Sequence, residues 1–74
     1  MGRVHWTPDR MEQLERAARL GRRVVLRRRG TEYIVVARRV LQEGRRDALL
    51  ALLPTTGEEL RFLLEDLDEF HVLP

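Results

Sequence analysis

The apolar positions change period along the chain. Met11, Leu14, Ala17 and Ala18 recur at helical spacing and form one face of an amphipathic helix. Thr7 stands at the N-cap, Pro8 suits the first helical position, and Asp9 suits the positive end of the helix dipole. Trp6 and Met11 have the spacing of a hydrophobic staple. Gly21 supplies a left-handed stop, with Arg19, Arg22 and Arg23 near the negative end. These signals predict a helix over about residues 8–20.

Beyond Gly21 the pattern is that of strands. Residues 22–29 put Val24 and Leu26 on one face and Arg23, Val25, Arg27 and Arg29 on the other. Gly30-Thr31 reads as a turn. Residues 32–40 are rich in β-branched and aromatic side chains, among them Tyr33, Ile34, Val35 and Val36. This second strand is apolar on both faces. That fits a central strand covered by the helix on one side and by the sheet's own core on the other. Gln42–Arg46 reads as a polar connection.

The remainder admits two readings. Leu60, Leu63, Leu64 and Leu67 have helical spacing, and Thr56-x-x-Glu59 resembles a capping box, so residues 57–70 are a candidate helix. The other reading takes residues 47–53 and 58–64 as a hairpin, with Leu60, Phe62 and Leu64 facing inward. A turn over Glu65–Glu69 then leads to a last strand, 70–73, with Phe70 and Val72 inward and His71 outward. Two physical points favour strands. A helix would carry Asp66, Asp68 and Glu69 in its last turns, against the dipole. It would also place like charges at Glu65/Glu69 and Asp66/Glu69 with no nearby cation.

The expected architecture is α+β and mainly β: an N-terminal helix followed by five antiparallel strands that can curl into a small barrel. Seventy-four residues allow a single domain, 1–74, burying only about 60% of its unfolded surface. With no cysteine, the chain offers no disulfide and no thiolate metal or redox site. His5 and His71 lie far apart, so no metal site is expected, and no cofactor motif is present. The longest apolar run is Ala48–Leu53 and no secretory signal opens the chain, so a cytoplasmic protein without a membrane partner is expected.

Charge sharpens this picture. All 14 basic residues are arginine. Residues 1–46 hold 13 arginines and 5 acids, a net +8; residues 47–74 hold 1 and 7, a net −6. Such blocks either pair within the fold or form two differently charged surfaces. Serine is absent, neither histidine sits in a motif, and the adjacent acids Glu58/Glu59, Glu65/Asp66 and Asp68/Glu69 read as solvated turns. The chain is therefore read as non-enzymatic, with no small-molecule substrate evident.

The order of elements resembles the bacterial Sm-like and SH3-like small barrels, nearest the Rho-binding antiterminator (Rof) family. The residues that carry the resemblance are Leu14–Leu20, Val24–Leu26, Gly30, Tyr33–Val36, Leu49–Leu53, Thr56–Phe62 and Leu67–Val72. The segment from Thr56 to Phe70 also looks like the closing hairpin of WYL-type barrels. The Rof resemblance implies docking on the Rho hexamer. Arg38–Gly44 and Glu65–His71 lack the loop and strand motifs with which Sm and Hfq proteins build their RNA pockets.

The arginines are the main functional signal. A hairpin of the first two strands brings Arg23, Arg27, Arg29, Arg38 and Arg39 onto one positive surface, suited to phosphates or to the carboxylates of a partner. Trp6 and Tyr33 are the aromatics left for base stacking, since Phe62 and Phe70 read as core. The expected role is a binding module, an accessory of RNA metabolism or transcription, with RNA or an RNA-handling protein such as Rho as partner. The alternative is a protein–protein or homo-oligomerisation module using its complementary basic and acidic halves. Far-UV circular dichroism separates the two structural readings. Five strands and one helix give roughly a fifth helix at most, whereas a second helix over 57–70 gives a helix-dominated spectrum.

Overall fold

The computed structural model describes residues 2–74. Helix α1 spans Pro8–Leu20, as the local signals predict. The Thr7 hydroxyl accepts a hydrogen bond from the Arg10 amide at 3.2 Å, and Pro8 fills the first turn. Gly21 ends the helix in the left-handed region at φ 64°. The Arg22 amide donates to the Ala17 carbonyl at 2.9 Å and the Gly21 amide to that of Ala18 at 3.4 Å, the paired bonds of a Schellman stop.

Five antiparallel strands follow: β1 (Arg23–Arg28), β2 (Thr31–Glu43), β3 (Arg46–Leu52), β4 (Glu59–Leu63) and β5 (Leu67–Val72). Their order in the sheet is β4-β3-β2-β1-β5, so the last strand returns to pair with the first. β2 serves two partners. Its first half pairs with β1, from Arg23↔Val36 to Arg28↔Thr31. Its second pairs with β3, from Val36↔Leu52 to Glu43↔Arg46. A bulge between Ala37 and Arg39 separates the two regimes and bends the strand. A single 3₁₀ turn, Leu64–Asp66, carries the chain from β4 to β5. The sheet is barrel-like in its order, but β4 and β5 do not pair, so it stays open.

The element boundaries depart from expectation in two places. β2 runs on to Glu43, and the connection to β3 shrinks to Gly44-Arg45. Gly44, at φ 63°, takes the first turn position, where tight hairpins of this kind need glycine. β5 begins at Leu67 rather than residue 70, because β1 offers pairing partners there: Arg28↔Leu67 and Arg27↔Glu69. Residues 57–70 form no α-helix, only the 3₁₀ turn between two strands. Leu60 and Phe62 of β4 face inward, Leu63 points outward, and Leu64 is buried at the start of the 3₁₀ turn.

The core lies between α1 and the inner face of the sheet. Leu14 and Ala17 meet Val24, Leu26, Val35, Ala37, Leu49, Ala51, Phe62, Leu64 and Leu67, all buried. Ala37 and Ala51 are direct cross-strand partners, and their small size leaves room for the helix. The N-terminal segment is tied down from both sides. The Val4 amide donates to the Leu67 carbonyl at 2.8 Å and the Trp6 indole N–H to the Leu64 carbonyl at 2.9 Å. One expectation fails. Ile34 and Val36 point away from the core; Ile34 is 47% exposed and Val36 half-buried. The open sheet has no second inner surface with which to bury that face.

The β1–β2 turn holds the one non-glycine residue with positive φ among the described residues. Arg29 (φ 52°) and Gly30 (φ 81°) form a two-residue turn with both central residues left-handed. Asn tolerates that conformation far better than Arg, and the Arg29 bond to Asp68 Oδ2, 3.1 Å, is made by its backbone amide. Arg29→Asn is expected to stabilise the fold by about 0.5–1 kcal/mol, raising Tm by ~2–8 °C. Thermal unfolding by circular dichroism checks this, and a lower Tm contradicts it.

Candidate nucleic-acid interface

The five arginines expected on one hairpin face divide into separate environments. Arg27 is occupied: its guanidinium lies 3.0 Å from the Glu69 carboxylate and 4.0 Å from that of Glu32. Each exposed pair contributes at most about 1 kcal/mol, yet together they cancel the charge a phosphate would need. Arg29 is held in its turn beside Asp68. Arg23 opens β1 on the outer face of the sheet, opposite Val36. Only Arg38 and Arg39 come together, and they do so with a residue the strand reading left out, Arg19 of α1.

These three line one open concavity of about 370 Å3, with Glu15, Ala18 and Val40. Two local features build it. The β2 bulge falls at Arg38, where the ladder skips from Ala37 to Arg39 and re-aims the side chains. The Schellman stop then turns the chain beside the bulge, and the Ala37 amide donates to the Arg22 carbonyl at 2.9 Å. Arg22 and Arg23 therefore follow the end of α1 next to the bulge. All of Arg19, Arg22, Arg23, Arg38 and Arg39 are exposed, and among the described residues none reaches an acid within ion-pairing distance. Glu15 is the one acid among the lining residues.

Elsewhere the charge blocks neutralise each other. Arg27–Glu69 and Arg46–Glu65 (3.5 Å) join the basic half of the chain to the acidic half, and Arg61–Glu43 (2.8 Å) joins them in the opposite sense. Arg19, Arg38 and Arg39 are left as three unpaired cations converging on one concavity at the end of α1 and the bulge.

Neither candidate stacking residue belongs to this region. Trp6 packs on Phe70 with ring centroids 5.1 Å apart, its N–H bonded to Leu64. Tyr33 sits edge-on to Phe62, also at 5.1 Å. Arg28 covers both rings, 5.4 Å from the Tyr33 centroid and 4.9 Å from that of Phe62, and donates to the Tyr33 hydroxyl at 3.3 Å. Its guanidinium is engaged in cation–π contact. Among the described residues no group of three His, Cys, Asp or Glu side chains is placed to hold a metal. No described helix is long and apolar enough to cross a membrane.

Comparison with family models, curated proteins and solved structures returned no match, so the site stands on its own geometry. Arg19 and Arg22 are the residues that strand-based reasoning missed. Their signal is their place beside Gly21: a glycine stop reverses the chain and sets the last helical turn against the next strands.

The packing of Trp6 defines a test of its role. Trp6→Phe keeps most of the ring contact with Phe70 but leaves the Leu64 carbonyl unpaired. It is expected to cost about 1–2 kcal/mol in urea unfolding. The same variant is expected to leave any binding at Arg19, Arg38 and Arg39 unchanged. A loss of binding without a loss of stability assigns Trp6 to a ligand instead.

Proposed function

We propose that this domain is a non-enzymatic binding module of RNA metabolism or transcription that grips the phosphate backbone of RNA through Arg19, Arg38 and Arg39. The observation that carries this reading is the segregation of charge. Arg27, Arg46 and Arg61 are paired with carboxylates and Arg28 lies over aromatic rings, whereas Arg19, Arg38 and Arg39 converge exposed and unpaired on one concavity. Guanidinium groups bind phosphate in paired geometry and hold their charge at any physiological pH. With no exposed aromatic ring in the concavity, recognition is of backbone and shape, not of base identity.

The resemblance to the Rof family supports a second reading. In it the same arginines meet carboxylates on an RNA-handling protein such as Rho, and the domain acts by occupying that protein's RNA site.

Fluorescence anisotropy of a labelled single-stranded RNA, titrated with salt, tests both. Phosphate binding by three arginines gives log K falling against log salt with a slope of about −2, at roughly 0.7 per contact for single strands. Arg38→Glu and Arg39→Glu together are expected to weaken binding at least ~10-fold, while Arg27→Glu, which removes an already paired cation, changes it little. Absence of binding at low salt overturns the RNA reading. Binding to purified Rho that Arg38→Glu abolishes then supports the second.

A further inference from the structure

The outer face of the sheet is apolar where an antiparallel sheet open to water is normally polar. Val25 of β1, Ile34 and Val36 of β2, and Leu50 and Leu52 of β3 all point outward, and none joins the core cluster. The cross-strand register makes them neighbours: Val25 stands opposite Ile34, and Val36 opposite Leu52. They form one diagonal stripe across three strands rather than scattered single residues, and contiguous stripes of this kind mark association surfaces.

The charges bordering the stripe specify what fits it. One cross-strand row runs through four strands as Arg23, Val36, Leu52 and Glu59. It is apolar in the middle, with a cation at one end and an anion at the other. Neither Arg23 nor Glu59 has an ion-pair partner among the described residues. A two-fold axis parallel to the strands, passing between β2 and β3, turns this row end for end. Arg23 then faces Glu59 of the second copy, Val36 faces Leu52, and the same contacts repeat in reverse, as a two-fold interface requires. The nearest other outward cation on β4, Arg61, is already neutralised by Glu43 at 2.8 Å.

We propose that this outer face is an interface between two copies of the chain, packed sheet on sheet across a two-fold axis. The apolar stripe supplies the driving force, as in a β-sandwich, and the Arg23–Glu59 pairs fix the register. Arg39 stands opposite Leu50 at the border of the stripe, so the phosphate concavity adjoins the interface and association is read without RNA.

Sedimentation equilibrium without RNA, over roughly 1 μM to 1 mM protein, reads the outcome. The wild-type chain is expected to move with concentration from 8.7 kDa to twice that mass. Ile34→Asp is expected to hold it at the monomer mass. Arg23→Glu and Glu59→Arg each are expected to weaken association at least ~10-fold, and the double reversal to restore it, since both exposed positions tolerate either charge in the fold. That rescue keeps the test decisive even if Ile34→Asp fails to fold. A monomer at every concentration overturns the proposal. So does a dimer indifferent to Arg23→Glu and Glu59→Arg, which assigns the contact to another surface such as the free edge of β4. Loss of RNA binding with the dimer intact overturns the phosphate site alone.

Discussion

β2 must satisfy two strands at once. Over Thr31–Val36 it completes the ladder of β1, and over Val36–Glu43 that of β3, while its inward residues Tyr33, Val35 and Ala37 keep facing one core. A flat strand of thirteen residues would carry its far half away from the helix. The bulge at Arg38 supplies the bend, so both halves can close on Leu14 and Ala17. The rest of the molecule inherits this constraint. The small residues Ala37 and Ala51 lie next to the bend, and the stop of α1 is bonded to it through Arg22. A domain of this size has little core to spare, so the geometry of one strand decides how much of that core is built.

The same irregularity joins fold to chemistry. A bulge interrupts alternation, and here the interruption carries two consecutive arginines to the end of the helix. Regular alternation would have sent neighbouring side chains to opposite faces. The cationic concavity is therefore a product of the bend that the core requires. Its charge survives because no acid among the described residues reaches ion-pairing distance of Arg19, Arg38 or Arg39.

The helix was legible in full, since its cap, its proline and its glycine stop are local signals read within a few residues. The sequence of five strands was legible from alternation and turn residues. The ends of β2 and β5 were not. Gln42 and Glu43 look like loop, and Leu67-Asp68-Glu69 has little β propensity; both join strands because a partner ladder is waiting for them. The site was half legible. Arg38 and Arg39 stand out as a pair, but a bulge has no sequence signature here, and the loss of Arg27 to Glu69 depends on a strand pairing between distant parts of the chain. The two apolar faces of the second strand were visible as well. Assigning both to one chain assumed a closed barrel, and the sheet is open.

The return of β5 to β1 also sets the order in which the domain can assemble. The hairpins β1–β2, β2–β3 and β3–β4 join neighbours in sequence and can form early. The edge of β1 has no ladder until Leu67–Val72 has been synthesised, and the two anchors of the N-terminal segment, the carbonyls of Leu64 and Leu67, arrive at the same stage. The segment of Val4 and Trp6 and the edge of β1 thus wait for the same late-arriving strand. A nascent chain lacking β5 carries an unpaired edge strand, the kind of surface on which chaperones act and aggregation begins.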